Sequence, residues 1–180
     1  VHTPNPEKER DFFDYTQGKI NLRLPNGQIE RVIVAGPTEV LVDIPPNGAA
    51  ADTDGNGLDQ VPMEMTSLQL AGNSSLGPVM VMLDSERCRG LGKIEEKANN
   101  TPGILDLPPF TPTGGANSSF DLCLKIVVNG RVFRPCDNVR VHLESMISHK
   151  PPGPGEAYMN LINQEIPLCD EQGNPTGIIL

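Results

Sequence analysis

Apolar and polar residues alternate along much of this chain, in short runs broken by turns. In residues 19–24 (KINLRL), Ile20, Leu22 and Leu24 alternate with Lys19, Asn21 and Arg23. A period of two sends successive side chains to opposite faces, so this run predicts a half-buried β-strand. Pro25-Asn26-Gly27 predicts a turn, residues 28–35 its hairpin partner, and Gly36-Pro37 the end of that strand. Residues 39–44 alternate again, with Val40, Val42 and Ile44 inward. Residues 63–70 and 78–83 predict two further strands. In the first of these the apolar phase slips from Met63 and Met65 to Leu68 and Leu70, which places a bulge near Ser67. Residues 120–128 carry Phe120, Leu122, Leu124, Ile126 and Val128 on one face. Asn129-Gly130 is a two-residue hairpin signal, and residues 131–134 return. Residues 139–147 alternate, and residues 177–180 are apolar enough for a last short strand. Residues 90–100 (GLGKIEEKANN) predict one short helix.

Many short strands separated by turn signals predict an all-β fold, an immunoglobulin-like or jelly-roll β-sandwich with one short helix. Residues 1–17 show no alternation and are expected to form an N-terminal arm ahead of a single sandwich domain over residues 18–180. The arm holds Phe12, Phe13 and Tyr15, although the whole chain has only 5 Phe, 2 Tyr and no Trp. Such a concentration predicts that the arm docks, on its own domain or on a neighbour.

Composition agrees with a turn-rich β-protein. The chain has 18 Gly and 18 Pro in 180 residues, which leaves little room for long helices. Its net charge is −9, so its surface repels phosphate backbones and argues against nucleic acid as a partner. No apolar run is long enough to span a membrane. The first residue is Val1, read as a mature terminus after signal-peptide removal or as an incomplete start. Four Cys, an even number, agree with export and two disulfides. If Val128 faces Arg131 across the hairpin, counting outward sets Cys123 opposite Cys136, and elimination leaves Cys88 with Cys169.

The sharpest motif is Asp52-Thr53-Asp54-Gly55-Asn56-Gly57-Leu58-Asp59. A hard cation needs six or more oxygens around one point, and alternate side chains on a tightly curved loop can converge. The expected Ca²⁺ ligands are Asp52, Asp54, Asn56, the Leu58 carbonyl and Asp59; the competing reading is an Asx- and Gly-rich turn without metal. Candidate glycosylation sites are Asn73, Asn99 and Asn117, each followed two residues later by Ser or Thr. His2, His142 and His149 fall in no nucleophile, metal or acid–base motif, and no phosphate-cradling or dinucleotide fingerprint exists, so no enzyme activity is expected.

The stretches DTDGNGLDQVPMEMTSLQLAGNSSLGPVMVML, LGKIEEKANNTPGILDLPPF, ISHKPPGPGEAYMN and IPLCDEQGNPTGI resemble a group of secreted, largely uncharacterised bacterial β-sandwich proteins. The resemblance runs from Ile20 to the C-terminus. It implies an extracellular or cell-surface setting and carries over the acidic loop at Asp52, Asp54, Asn56 and Asp59. More loosely, an immunoglobulin-like domain behind an aromatic arm is similar in architecture to subunits of extracellular fibrils. The expected function is a secreted structural subunit that assembles with copies of itself through the arm. The alternative is a monomeric, calcium-stabilised extracellular module that binds a glycan or a protein.

Overall fold

A computed structural model describes residues 8–160 and 164–180. All regular structure among them is β, in eleven strands: β1 (Glu9–Arg23), β2 (Ile29–Val42), β3 (Gln60–Ser74), β4 (Gly77–Leu83), β5 (Gly90–Glu96), β6 (Ala116–Leu122), β7 (Leu124–Val128), β8 (Arg131–Pro135), β9 (Val141–Ile147), β10 (Pro167–Cys169) and β11 (Pro175–Ile179). They form one 11-stranded sheet in the order β2-β1-β11-β10-β8-β7-β4-β3-β5-β6-β9, and a further pairing of β2 with β3 joins the sheet back on itself. The fold is therefore all-β, but its strands join in a single continuous antiparallel sheet, which is not a clear immunoglobulin-like or jelly-roll sandwich.

The β2–β3 pairing closes a ring of β1, β2, β3, β4, β7, β8, β10 and β11, every pairing in it antiparallel. A ring of this size has an interior just wide enough for side chains to fill. Leu22, Val32, Val81, Ile126 and Leu168 fill it, each at most 4% exposed. Strands β1, β2 and β3 are long, at 15, 14 and 15 residues. They run beyond the ring into a second layer. There the first part of β1 pairs with the end of β2, the start of β3 pairs with β5, and β6 and β9 follow. Loop residues Leu105 and Leu107, both 0% exposed, join the core beside Ile94 and Phe120 of this layer.

The expected break at Gly36-Pro37 is absent, since β2 passes through both residues. The chain needs glycine there for closeness, not for an ending: a Cβ on Gly36 would stand 2.0 Å from the Gln69 carbonyl oxygen. A register shift between Phe13 and Thr16 of β1 lies opposite Pro37, which has no N–H to lose. The phase slip near Ser67 is present as well: Glu39 pairs with Ser67 and Val40 with Met65, leaving Thr66 as the extra residue. Asn129 (φ 49°) and Gly130 (φ 78°) make the tight hairpin between β7 and β8, with Val128 opposite Arg131.

The helix expected over residues 90–100 is instead strand β5. Gly90, Ile94 and Glu96 turn inward with period two, and Gly92 lies so near β6 that a Cβ would meet the Ser119 oxygen at 2.2 Å. Two glycines weaken a helix, and pairing on both sides decides the outcome. The boundary expected at Gln17 is also not a structural one. Residues 1–7 lie outside the described residues, but from Glu9 onward the expected arm is the first half of β1, hydrogen-bonded along β2.

Candidate functional site

The acidic loop is organised around its own backbone. Asp52 accepts N–H bonds from Gly55 (2.7 Å) and Asn56 (3.1 Å) on Oδ1, and from Gly57 (2.9 Å) on Oδ2. These donors, that of Gly57 first, hold its carboxyl below the ordinary carboxylate range. Asn56 Oδ1 accepts the Leu58 N–H at 2.8 Å, and Lys93 Nζ stands 3.3 Å from Asp54. Asp59 points elsewhere: it is 4% exposed and accepts the Gly103 N–H at 2.6 Å. Asp59 is thus turned away from the other expected Ca²⁺ ligands, and a cation beside Asp54 would face Lys93. Among the described residues no group of three or more His, Cys, Asp or Glu side chains is placed to hold a metal.

Beneath this loop lies a buried carboxylate network that no motif in the sequence marks. Glu96, 1% exposed, receives the Asp59 N–H on Oε1 (2.8 Å) and the Asp106 N–H on Oε2 (2.9 Å). Asp106 in turn receives the N–H groups of Asn100 (2.5 Å) and Thr101 (2.8 Å). Burial raises the Glu96 pKa, its two N–H donors lower it, and the charges of Asp59 and Asp106 add to the rise. Each carboxylate anchors backbone of the 97–107 loop, so the cluster is a scaffold for an irregular segment.

All four cysteines are paired, but not as the hairpin register suggested: the bonds are Cys88–Cys123 and Cys136–Cys169. The register itself holds, with Ile126 opposite Phe133. Cys123, however, falls in the gap between β6 and β7, and β8 passes on to a new neighbour. Cys169 pairs with Arg134, and the Cys136 N–H bonds to the Pro167 oxygen at 2.9 Å, which brings Cys136 and Cys169 together. Between the bridges Asp84, 0% exposed, binds Arg134 Nε at 2.7 Å.

The three arm aromatics separate. Phe12 and Tyr15 are 59% and 68% exposed, whereas Phe13 is half-buried opposite Thr38. Phe12 lies on the outer face of β1, and Ile29 and Ile33 of β2 are exposed on that outer face too, 68% and 54%. Lys19 and Arg31 stand among them, with no ion-pair partner among the described residues. Of the glycosylation candidates, Asn73 is exposed at the end of β3. Asn117 donates to Glu144 at 3.4 Å, and Asn99 has its Oδ1 buried and donates to the Gly57 oxygen at 3.4 Å.

Three polar sites were not anticipated from the sequence. Lys150, 2% exposed, lies 2.9 Å from Glu9 and 3.2 Å from Asp11. His142 Nδ1 meets Asp121 at 2.9 Å and its Nε2 meets Glu144 at 3.6 Å on the β6–β9 pair, and the hydrogen bond to Asp121 raises the imidazole pKa above 6.5. Tyr158 Oη bonds Ser118 Oγ at 2.7 Å and packs its ring 5.6 Å from that of Phe120, closing the second layer from the side of the 148–160 loop.

Among the described residues no helix is long and apolar enough to cross a membrane. No family model matches the chain, and no curated protein matches it. Among solved structures it is similar to DynF from the dynemicin biosynthesis pathway of Micromonospora chersina, with a TM-score of 0.70 and 18% identity over 97% of this chain and 77% of that one. At that identity the likeness shows a shared fold and nothing of activity.

Proposed function

We propose that this chain is a secreted, non-catalytic structural subunit that assembles with copies of itself through the outer face of β1 and β2. The observation that carries the reading is the exposure of Phe12, Tyr15, Ile29 and Ile33 along those two strands. Covering a large apolar side chain is worth about 1.5–3 kcal/mol, so a few of them can hold a subunit contact. The two disulfides support an oxidising compartment. The first strand is built into the sheet, so the contact is a sheet face and not a detached arm.

The charges favour a head-to-tail contact. Lys19 and Arg31 lie on this face without an ion-pair partner among the described residues, while the chain as a whole carries −9. Two such faces packed together would set cation against cation; the same face against the acidic remainder of a second copy is complementary. A heterologous contact of that kind does not close and gives an open chain of subunits. Sedimentation velocity over a concentration series, with electron microscopy, tests this. The protein is expected to associate, and Tyr15→Ser with Ile33→Thr to leave a folded monomer. An intact protein that stays monomeric at the highest concentration overturns the reading.

A further inference from the structure

Lys150 is the only lysine or arginine buried among the described residues. It lies three residues after the end of β9, and its backbone N–H bonds the Pro108 oxygen at 2.8 Å, which fixes where the side chain starts. Its Nζ lies 3.3 Å from Oδ1 and 3.2 Å from Oδ2 of Asp11, so the amine faces the carboxyl group almost symmetrically. Glu9 Oε1 touches the same nitrogen at 2.9 Å. Asp11 is on the inward side of β1, opposite Val40, and is 8% exposed, whereas Glu9 two residues earlier reaches solvent with 44% of its side chain exposed. A nucleophile, an acyl carbon and a proton carrier thus meet at the edge of an apolar core, from positions 139 residues apart in the chain.

We propose that Lys150 and Asp11 become joined by an intramolecular isopeptide bond, with Glu9 as the group that carries the proton. The ammonium of Lys150 gives a proton to Glu9. The neutral amine attacks Cγ of Asp11 in its acid form, a C–N bond forms, and the C–O bond breaks. Glu9 returns its proton to the departing hydroxyl and takes up the second proton from the attacking nitrogen, and one water leaves. The sum is an ammonium and a carboxylic acid becoming an amide, water and one proton, which Glu9 passes to the solvent it reaches, so atoms and charge balance without any co-reactant. In free solution this condensation is opposed because both groups ionise and are well hydrated. Here burial removes that hydration, and the fixed geometry supplies an effective concentration of up to about 10⁵–10⁸ M. Burial also raises the Asp11 pKa; Lys150 opposes the rise and Glu9 adds to it, which favours the acid form the attack needs. The product exchanges two buried charges for one neutral amide, removing a desolvation cost that an ion pair keeps.

The bond would tie the first strand to the segment after β9 across the second layer, a staple suited to a domain under tension. It does not depend on self-association. Mass spectrometry of the reduced full chain tests it. The protein is expected to be lighter by one water than its sequence requires, and digestion to release one branched peptide holding both Asp11 and Lys150. Lys150→Arg, which keeps the charge, and Asp11→Ala are expected at full mass, and Glu9→Gln to slow the loss of water at least tenfold. If the folded protein, held at neutral pH until its mass no longer changes, yields Asp11 and Lys150 only in separate linear peptides, the proposal is wrong and the three residues form an ion pair alone. Loss of water that persists in Lys150→Arg overturns it equally.

Discussion

Replacing Glu96 by Gln asks whether the buried carboxylate network stabilises the fold or burdens it. The side chain keeps its size and place in β5, so packing is not the variable. Glu96 accepts one N–H on each oxygen, from Asp59 and from Asp106. A glutamine can accept one of these and must turn its NH₂ towards the other. The accepted bond loses its charge assistance, a drop of about 1 kcal/mol, and the abandoned buried N–H costs about 1–3 kcal/mol more. Relief of repulsion from Asp59 and Asp106 acts in the opposite direction, but those carboxylates are themselves held by backbone donors, Gly103 for Asp59 and Asn100 and Thr101 for Asp106. The net expectation is a loss of about 2–4 kcal/mol, or about 4–16 °C in melting temperature for a domain of this size. The pH dependence has a definite sign. The folded-state pKa of Glu96 is raised above 4.5, so the folded chain binds this proton more tightly than the unfolded chain. The wild-type contribution is greatest at acid pH and declines as pH rises from 4.5 through the folded value, so the gap between wild type and Glu96→Gln narrows over that window. Urea melts at about pH 4 and about pH 7 measure both quantities, with the exposed Glu86→Gln as a control expected to shift stability by less than about 0.5 kcal/mol. If Glu96→Gln is as stable as wild type at neutral pH, repulsion outweighs the loop anchors and the network is a burden kept for another reason.

Three further outcomes are expected. The His142 pKa is raised by Asp121, so the pair stabilises the fold fully below pH 6.5 and its contribution is lost as pH rises through the folded value; Asp121→Asn is expected to flatten the stability profile in that region and lower the His142 pKa in an NMR titration. Each disulfide closes a long segment, 35 residues for Cys88–Cys123 and 33 for Cys136–Cys169, and removing either pair by Cys→Ala is expected to cost about 3–4 kcal/mol in a urea melt, with non-reducing peptide mapping reporting these two bridges and not Cys123–Cys136. Melting curves in calcium and in chelator are expected to coincide, because Asp59 is buried against the Gly103 N–H and Lys93 stands beside Asp54; a rise in melting temperature with calcium would show that the loop can gather its oxygens.

The alternation of the chain was enough to place most of the strands, the β7–β8 hairpin and the bulge at Thr66, because these depend on residues close in sequence. What it could not convey is the closure of the sheet. Whether the second long strand stops at Gly36-Pro37 or passes through depends on how near β3 comes, and that distance is set by Gly36 and Gly72 acting across two strands, with the Gly72 Cβ position only 2.3 Å from the Ile33 oxygen. The disulfides failed for the same reason. Local register was right, but the pairing was decided by β10, a three-residue strand that no periodicity could announce.

The polar sites show the limit more sharply. The Asp52–Asp59 motif has the residue types of a cation loop, yet backbone geometry sends Asp52 to its own turn and Asp59 into the core. Residues 9–13 read as an arm because their inward positions hold Asp11 and Phe13 and not aliphatic side chains. An aspartate facing inward makes a strand look like solvent-exposed chain until its partner is known. That partner is Lys150, which in the sequence is one lysine before a proline-rich loop. Once the two are seen together, the first half of β1 is a strand for a physical reason: its buried carboxylate is matched by the ammonium of Lys150, and the rest of the strand is held by β2. The opposite face of β1 carries Arg10, paired with Glu39, and Phe12, which is 59% exposed. An inward charge met from within and an outward aromatic left exposed are two sides of one strand, and alternation alone does not tell which side an aspartate takes.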